Sequence, residues 1–91
     1  GVSLERLLLA AANAHFQTQN FPRAAELAQL VEKVPSVGAQ FVGEARMIQG
    51  LSLALQQKFA EAVPVFKAAE ESVTFRDKAL LYGAMSAAQA G

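Results

Sequence analysis

The sequence predicts an all-α domain of antiparallel helical hairpins, with about five helices. Alanine and leucine dominate a chain whose apolar fraction is 53%, a composition typical of packed helices rather than of a disordered segment. No segment alternates apolar and polar residues over more than four positions, as a half-buried strand would. The stretches 20-NFPRAAELAQLVEKV-34 and 58-KFAEAVPVFKAAEES-72 repeat one helical pattern, an aromatic residue followed three positions later by alanine.

Capping and proline signals predict where the first two helices begin and end. Ser3 is the expected N-cap of a helix that runs to about Gln19, because its hydroxyl oxygen can accept a free N–H of the first turn. Pro22 suits the first turn of a helix and disfavours helix in the residue before it. A second helix is therefore expected from about Pro22 to Lys33, ahead of the break at Pro35.

The last three helices are expected at residues 37–57, 59–72 and 75–90. Ser36 is the expected N-cap of the third helix, which contains Gly43 and Gly50 although a glycine costs about 1 kcal/mol relative to alanine there. The two glycines indicate that another helix approaches closely. Pro64 lies past the first turn of the fourth helix and removes a backbone hydrogen bond, so we expect a late start or a small kink.

Charge and composition exclude several classes of function. Eight basic and eight acidic residues cancel and are interspersed, so no basic surface for nucleic acid or for an anionic membrane is predicted. The chain has no cysteine, which rules out disulfides and thiolate chemistry. The longest apolar run, 7-LLLAAA-12, is far shorter than the ~20 residues of a membrane span. We expect a soluble protein. Its compartment stays open, with the cytoplasm favoured over the periplasm. Since the sequence begins without methionine, we also expect a piece of a longer chain.

The repeated pattern extends beyond the two stretches. Phe21 and Ala24 align with Phe59 and Ala62, and the same offset in the numbering aligns Ala12 with Gly50. Aligning Gly50 with Gly83 gives a further step of 33, so that 79-ALLYGAMSAAQAG-91 reads like 46-RMIQGLSLALQQK-58. These small and large positions resemble the tetratricopeptide repeat family, whose unit is a pair of antiparallel helices of about 34 residues.

The resemblance implies one domain over residues 1–91. Its first repeat is expected at about 3–35 and its second at about 37–73, with a terminal or capping helix at about 75–90. The second repeat carries the family's small and large positions as Gly50, Phe59, Ala62, Phe66 and Ala69. Where the family places a tryptophan-like residue at the head of the first helix, this chain has Leu8 in one repeat and Arg46 in the other.

Nothing in the sequence predicts catalysis, a metal or a cofactor. His15 is the only histidine, and no acidic residue lies three or four positions from it, so neither a metal site nor an oriented base is encoded locally. A packed histidine between helices is expected. Glu70 and Glu71 are interpreted as a solvated helix face rather than a catalytic carboxylate pair. No glycine-rich phosphate loop is present. We therefore expect a protein that is not an enzyme.

The resemblance further implies a concave groove lined by the first helix of each hairpin. Such a mainly apolar groove suits an amphipathic helix or an extended apolar segment. The expected function is a non-catalytic scaffold or chaperone-like module in a larger bacterial assembly, and the alternative is homo-oligomerisation through the same surface or the unpaired last helix. Some of the groove leucines could instead complete a five-helix core. The expected groove residues are Leu9, Asn13, Phe16, Met47, Leu51, Leu55, Leu80 and Ala84.

Overall fold

The computed structural model describes residues 2–91 and contains five helices and no strand in that range. The helices are α1 (Leu4–Gln17), α2 (Phe21–Val31), α3 (Ala39–Leu55), α4 (Phe59–Ala69) and α5 (Arg76–Ala90). Each helix packs against the next one along the chain, and the short connections make consecutive helices neighbours. The predicted all-α class and the number of helices are confirmed.

The turns that end α1 and α3 have the same geometry. Gln19 and Gln57, which the alignment of Phe21 with Phe59 makes equivalent, both adopt positive φ angles, of 65° and 64°. The next residue in each turn donates its backbone N–H to a carbonyl five positions back, at 2.8 Å from Asn20 to His15 and 2.9 Å from Lys58 to Leu53. This is the Schellman motif. The motif explains why both helices end two residues earlier than predicted.

The start of α3 also differs from the prediction. Ser36 has a φ of 58° and lies outside the helix, whereas Gly38 is the N-cap, in an extended conformation. The expected cap at Ser36 is therefore wrong. Ser3 is the N-cap of α1 as predicted, although its side chain makes no capping hydrogen bond.

Pro64 lies inside α4 without delaying the helix. The helix begins at Phe59 and continues through Pro64 to Ala69, so the late start considered from the sequence is wrong. Proline cannot donate to the carbonyl of Ala60, four residues earlier. Both Ala60 and Pro64 are exposed, and solvent can therefore satisfy that carbonyl.

Two apolar clusters form the core, and α3 contributes to both. The first lies among α1, α2 and α3 and consists of Leu9, Ala12, Ala24, Leu27, Ala28, Val31, Ala45 and Ile48. The second lies among α3, α4 and α5 and consists of Met47, Ala62, Phe66, Ala69 and Ala79. Because α3 is shared by both clusters, the two halves of the chain form one continuous stack. In residues 2–91 no helix combines the length and hydropathy that a membrane crossing requires.

Candidate functional site

The register of α5 determines which surface the last helix exposes. The buried and half-buried residues on one side of α3 recur in and just before α5 at an offset of 34 in the numbering, with similar burial. The pairs are Phe41 and Phe75, Ala45 and Ala79, Ile48 and Tyr82, and Ser52 and Ser86. The predicted step of 33, which aligned Gly50 with Gly83, is therefore wrong. A step of 33 would align Ala45, which is buried, with Lys78, which is exposed.

An apolar groove separates the second halves of α3 and α5. Both helices pack on α4 but contact each other only marginally, and the gap between them has a volume of about 730 Å³. Its lining residues come from α3, α4, α5 and the α3–α4 turn. They are Leu51, Ala54, Leu55, Gln57, Phe59, Phe66, Tyr82, Met85, Ser86, Ala88 and Gln89.

The lining of this α3–α5 groove is mainly apolar. Phe66 is fully buried and its ring lies 6.0 Å from that of Tyr82, centroid to centroid. Leu55 and Met85 are 56% and 55% exposed. No charged side chain lines the groove, so its recognition of a ligand would depend on shape and apolar contact.

Two of the predicted groove residues line this groove. Leu51 is half-buried against the second cluster and Leu55 is exposed, and both belong to the lining. Leu9 and Met47 instead belong to the two core clusters, with 7% and 5% exposure. Their apolar character serves packing between helices, which was the alternative considered for the groove leucines.

The other predicted residues lie elsewhere. Asn13 is exposed on α1. Phe16 packs edge-on against Phe21, with ring centroids 5.4 Å apart. Leu80 and Ala84 are exposed on α5 but do not line the groove. The one-residue error in register explains the difference for Ala84, because one residue rotates a helical position by about 100° and a step of 34 makes Met85 the equivalent of Leu51.

Sequence reasoning missed three aromatic or thioether groups of the groove, Phe59, Tyr82 and Met85. With a step of 34, Met85 is the equivalent of Leu51, which was among the predicted residues. The identical residues Ala45 and Ala79, and Ser52 and Ser86, stand 34 positions apart in the sequence. This spacing could have indicated that Met85 is the equivalent of Leu51. Phe59 was predicted only as one of the large positions of the second repeat, and it lies half-buried at the groove.

A second concavity lies on another side of the molecule, where α2 and α4 flank α3. It has a volume of about 360 Å³, about half that of the α3–α5 groove. Most of its lining is polar or charged, including Glu26, Gln29, Gln49, Lys58 and Glu61. This surface has the character of an ordinary solvated face.

Arg46 links three segments of the chain. Its Nε donates to Glu32 Oε1 at 3.0 Å, and its Nη1 donates to the Ala68 carbonyl at 3.0 Å and to Glu71 Oε2 at 3.1 Å. Burial of the guanidinium by itself lowers the pKa of Arg46, but the hydrogen bonds to Glu71 and Glu32 and the negative charges of these two carboxylates together outweigh it and raise that pKa. Arg46, which stands where the repeat family places a tryptophan-like residue, thus holds the ends of α2 and α4 to α3.

His15 lies near the end of α1 and is half-buried. Its Nδ1 is 3.2 Å from Asn20 Nδ2, across the turn to α2, so the ring contributes to the geometry of the turn. Among residues 2–91 no group of three histidine, cysteine or carboxylate side chains could hold a metal ion.

No family model, curated protein or solved structure matches the chain. Internal similarity within the chain supports a repeat. The two Schellman turns match, and α2 and α4 bury equivalent positions. Membership of the tetratricopeptide repeat family stays a prediction.

Proposed function

We propose that this domain is a non-catalytic protein-interaction module that holds an amphipathic helix or an apolar segment of a partner in the α3–α5 groove. The observation that carries the proposal is the groove itself, which is apolar, free of charged side chains and of a size suited to several side chains. Such grooves bind one apolar face of a helix through residues spaced by three and four positions.

The composition of the lining supports a tolerant binding surface. Leu55 and Met85 are its most exposed large apolar side chains, and the flexible thioether of Met85 can adapt to ligands of different shape. Gln57 and Gln89 provide amide donors and acceptors at the lining, which can bind polar groups of the ligand. The buried ring of Phe66 limits how deeply a side chain can enter.

The experiment uses a synthetic amphipathic peptide of about 18 residues, because shorter isolated helices are marginal in water. We expect saturable binding, with shifts of the amide resonances of Leu55 and Tyr82. The variant Leu55→Glu should weaken binding about tenfold or more, since it places a carboxylate in an apolar contact. Leu7→Glu is the matched control, because Leu7 is equally exposed but lies on α1. Binding that is unaffected by Leu55→Glu would refute the proposal.

Homo-oligomerisation is the second candidate function. It is favoured by one observation, the absence of any charged residue from residue 79 to residue 91, although much of α5 is exposed. An uncharged exposed helix is a suitable surface for self-association. Light scattering over a hundredfold range of concentration distinguishes the two candidates, because a self-associating chain changes its mass on dilution.

A further inference from the structure

The chain has few readily oxidised side chains, and one of them lies in the α3–α5 groove. The sequence contains two methionines and neither cysteine nor tryptophan, so the thioether sulfur is the side-chain group most open to oxidation. Met47 is 5% exposed and belongs to the second core cluster, whereas Met85 is 55% exposed and lines the groove. The fold therefore gives the two sulfur atoms very different access to a dissolved oxidant.

Met85 also lies where a polar atom would change the groove most. The lining is mainly apolar and contains no charged side chain, and Met85 and Leu55 are its most exposed large apolar residues. Oxidation converts the thioether into a sulfoxide, which is polar. An apolar ligand that packs on residue 85 would then have to remove the sulfoxide oxygen from water, which is unfavourable unless the oxygen gains a hydrogen bond.

The fold itself does not depend on the Met85 sulfur atom. Met85 belongs to neither core cluster, so a sulfoxide at this position stays in contact with solvent in the free protein. Gln89 lies one turn later and also lines the groove, and its amide can donate to an acceptor on the same face of α5. Oxidation of Met47 would instead place a polar group beside Phe66 in the second cluster and destabilise the domain.

We infer that Met85 is a site of selective and reversible oxidation by a peroxide, through which the α3–α5 groove loses affinity for an apolar ligand. A lone pair of the sulfur attacks one oxygen of hydrogen peroxide, so that an S–O bond forms while the O–O bond breaks. The proton of the attacked oxygen passes to the departing oxygen, which leaves as water. The sulfur loses the two electrons that the peroxide gains. Methionine sulfoxide reductases reverse the step, with two thiols that become a disulfide as water is released.

Hydrogen peroxide and mass spectrometry test the selectivity. Trypsin separates the two methionines, because Met47 lies in the peptide 47–58 and Met85 in the peptide 79–91. In the folded chain we expect the mass of one added oxygen atom to appear on Met85 about tenfold faster or more than on Met47. In the chain unfolded by urea the two rates should be similar. Equal rates in the folded chain would overturn the inference.

The amphipathic peptide that tests the groove also tests the effect of oxidation on affinity. The variant Met47→Leu, a volume-conserving change in the core, leaves Met85 as the only methionine. Its oxidised form should bind the peptide about tenfold more weakly than its reduced form, with a Tm lower by no more than about 2 °C. Treatment with the two reductases, one for each sulfoxide epimer, should restore the affinity.

Met85→Leu is the matched control, because it keeps the groove apolar and removes its only sulfur atom. The same brief exposure to peroxide should leave its affinity for the peptide unchanged. An affinity that oxidation of Met85 does not alter, an equal loss in Met85→Leu, or a loss that accompanies unfolding of the domain would overturn the inference.

The effect on affinity rests on the proposed function, whereas the selectivity of oxidation is measured without a ligand. If the reduced chain binds no peptide, the proposed function fails and the control of affinity fails with it, and the peroxide experiment alone decides whether Met85 is selectively oxidised. If Leu55→Glu weakens binding but oxidation of Met85 does not, the proposed function stands and the inference fails.

Discussion

Gly50 of α3 lies directly against the ring of Phe66 of α4. A Cβ atom on residue 50 would be 2.6 Å from Phe66 Cε1, and 2.9 Å from both Cδ1 and Cζ. Phe66 is fully buried, so its ring cannot move away without disturbing the second cluster. The close approach of α3 and α4, which forms one side of the groove, therefore depends on a residue without a side chain.

Gly50→Ala is expected to destabilise the domain although alanine is the better helix former. Overpacking against Phe66 should outweigh the gain in helix propensity and lower the free energy of unfolding by about 1–2 kcal/mol. Chemical denaturation measures the change. Gly83→Ala is the control, because it brings the same gain in helix propensity inside α5 while its new Cβ would meet only one atom, Phe66 Cβ, at 3.3 Å, and it should therefore cost less. In the double variant Gly50→Ala/Phe66→Leu the loss should be smaller than the sum of the single losses; simple additivity would contradict the steric explanation.

Arg46→Met is expected to lower the free energy of unfolding by about 1–3 kcal/mol, because it leaves the Ala68 carbonyl and Glu32 without their donor. Arg46→Lys should recover only part of this, since an ammonium group cannot reproduce the fork that reaches both partners. Glu71→Gln should change stability by no more than about 0.5 kcal/mol, because Glu71 is largely exposed. Equal losses in Arg46→Lys and Glu71→Gln would argue against the bridging role.

The raised pKa of Arg46 also determines how its contribution to stability changes with pH. Its pKa is raised in the folded state, so the positive charge stabilises the fold at every pH below the ordinary arginine pKa and the contribution is lost only in strong alkali. Unfolding of the protein and of Arg46→Met, measured between about pH 6 and pH 9, should differ by a constant amount if no other group changes charge with the substitution.

Ser52→Ala is expected to leave the stability unchanged or to raise it by up to about 1 kcal/mol. The Ser52 hydroxyl is fully buried and has no hydrogen-bond partner, so removing it relieves the cost of burying an unsatisfied polar group. Thermal unfolding measures the effect. Ser72→Ala, at a half-buried serine outside the helices, is the comparison. A marked loss of stability in Ser52→Ala would show that the hydroxyl has a partner.

Gln57→Gly is expected to stabilise the domain by about 0.5–1 kcal/mol. Gln57 holds a left-handed conformation at the end of α3, which is strained for residues with a Cβ atom and natural for glycine. Gln19→Gly should act similarly, because Gln19 occupies the same position at the end of α1. Gln56→Gly, one residue earlier with φ of −91°, should give no such gain, and this contrast separates the conformational effect from a general effect of removing a side chain.

The sequence by itself determined the helical class, the order of the five helices and the equivalence of α2 and α4. These features depend on local signals, namely proline and turn residues and the spacing of Phe21 with Ala24 and of Phe59 with Ala62. Helix ends were predicted less well, because the left-handed turns at Gln19 and Gln57 use glutamine where glycine is the usual signal.

Only the tertiary structure decided which face of α5 packs on α4, and with it the lining of the groove. The predicted step of 33 residues between α3 and α5 came from aligning Gly50 with Gly83. Both glycines do lie near Phe66, so their positions alone do not distinguish a step of 33 from the observed step of 34. A shift of one residue changes the exposed face by about 100°, which exchanges Ala84 for Met85 as the equivalent of Leu51. Burial of an apolar residue is decided by the helix packed against it, and that neighbour is a property of the folded chain rather than of the local sequence.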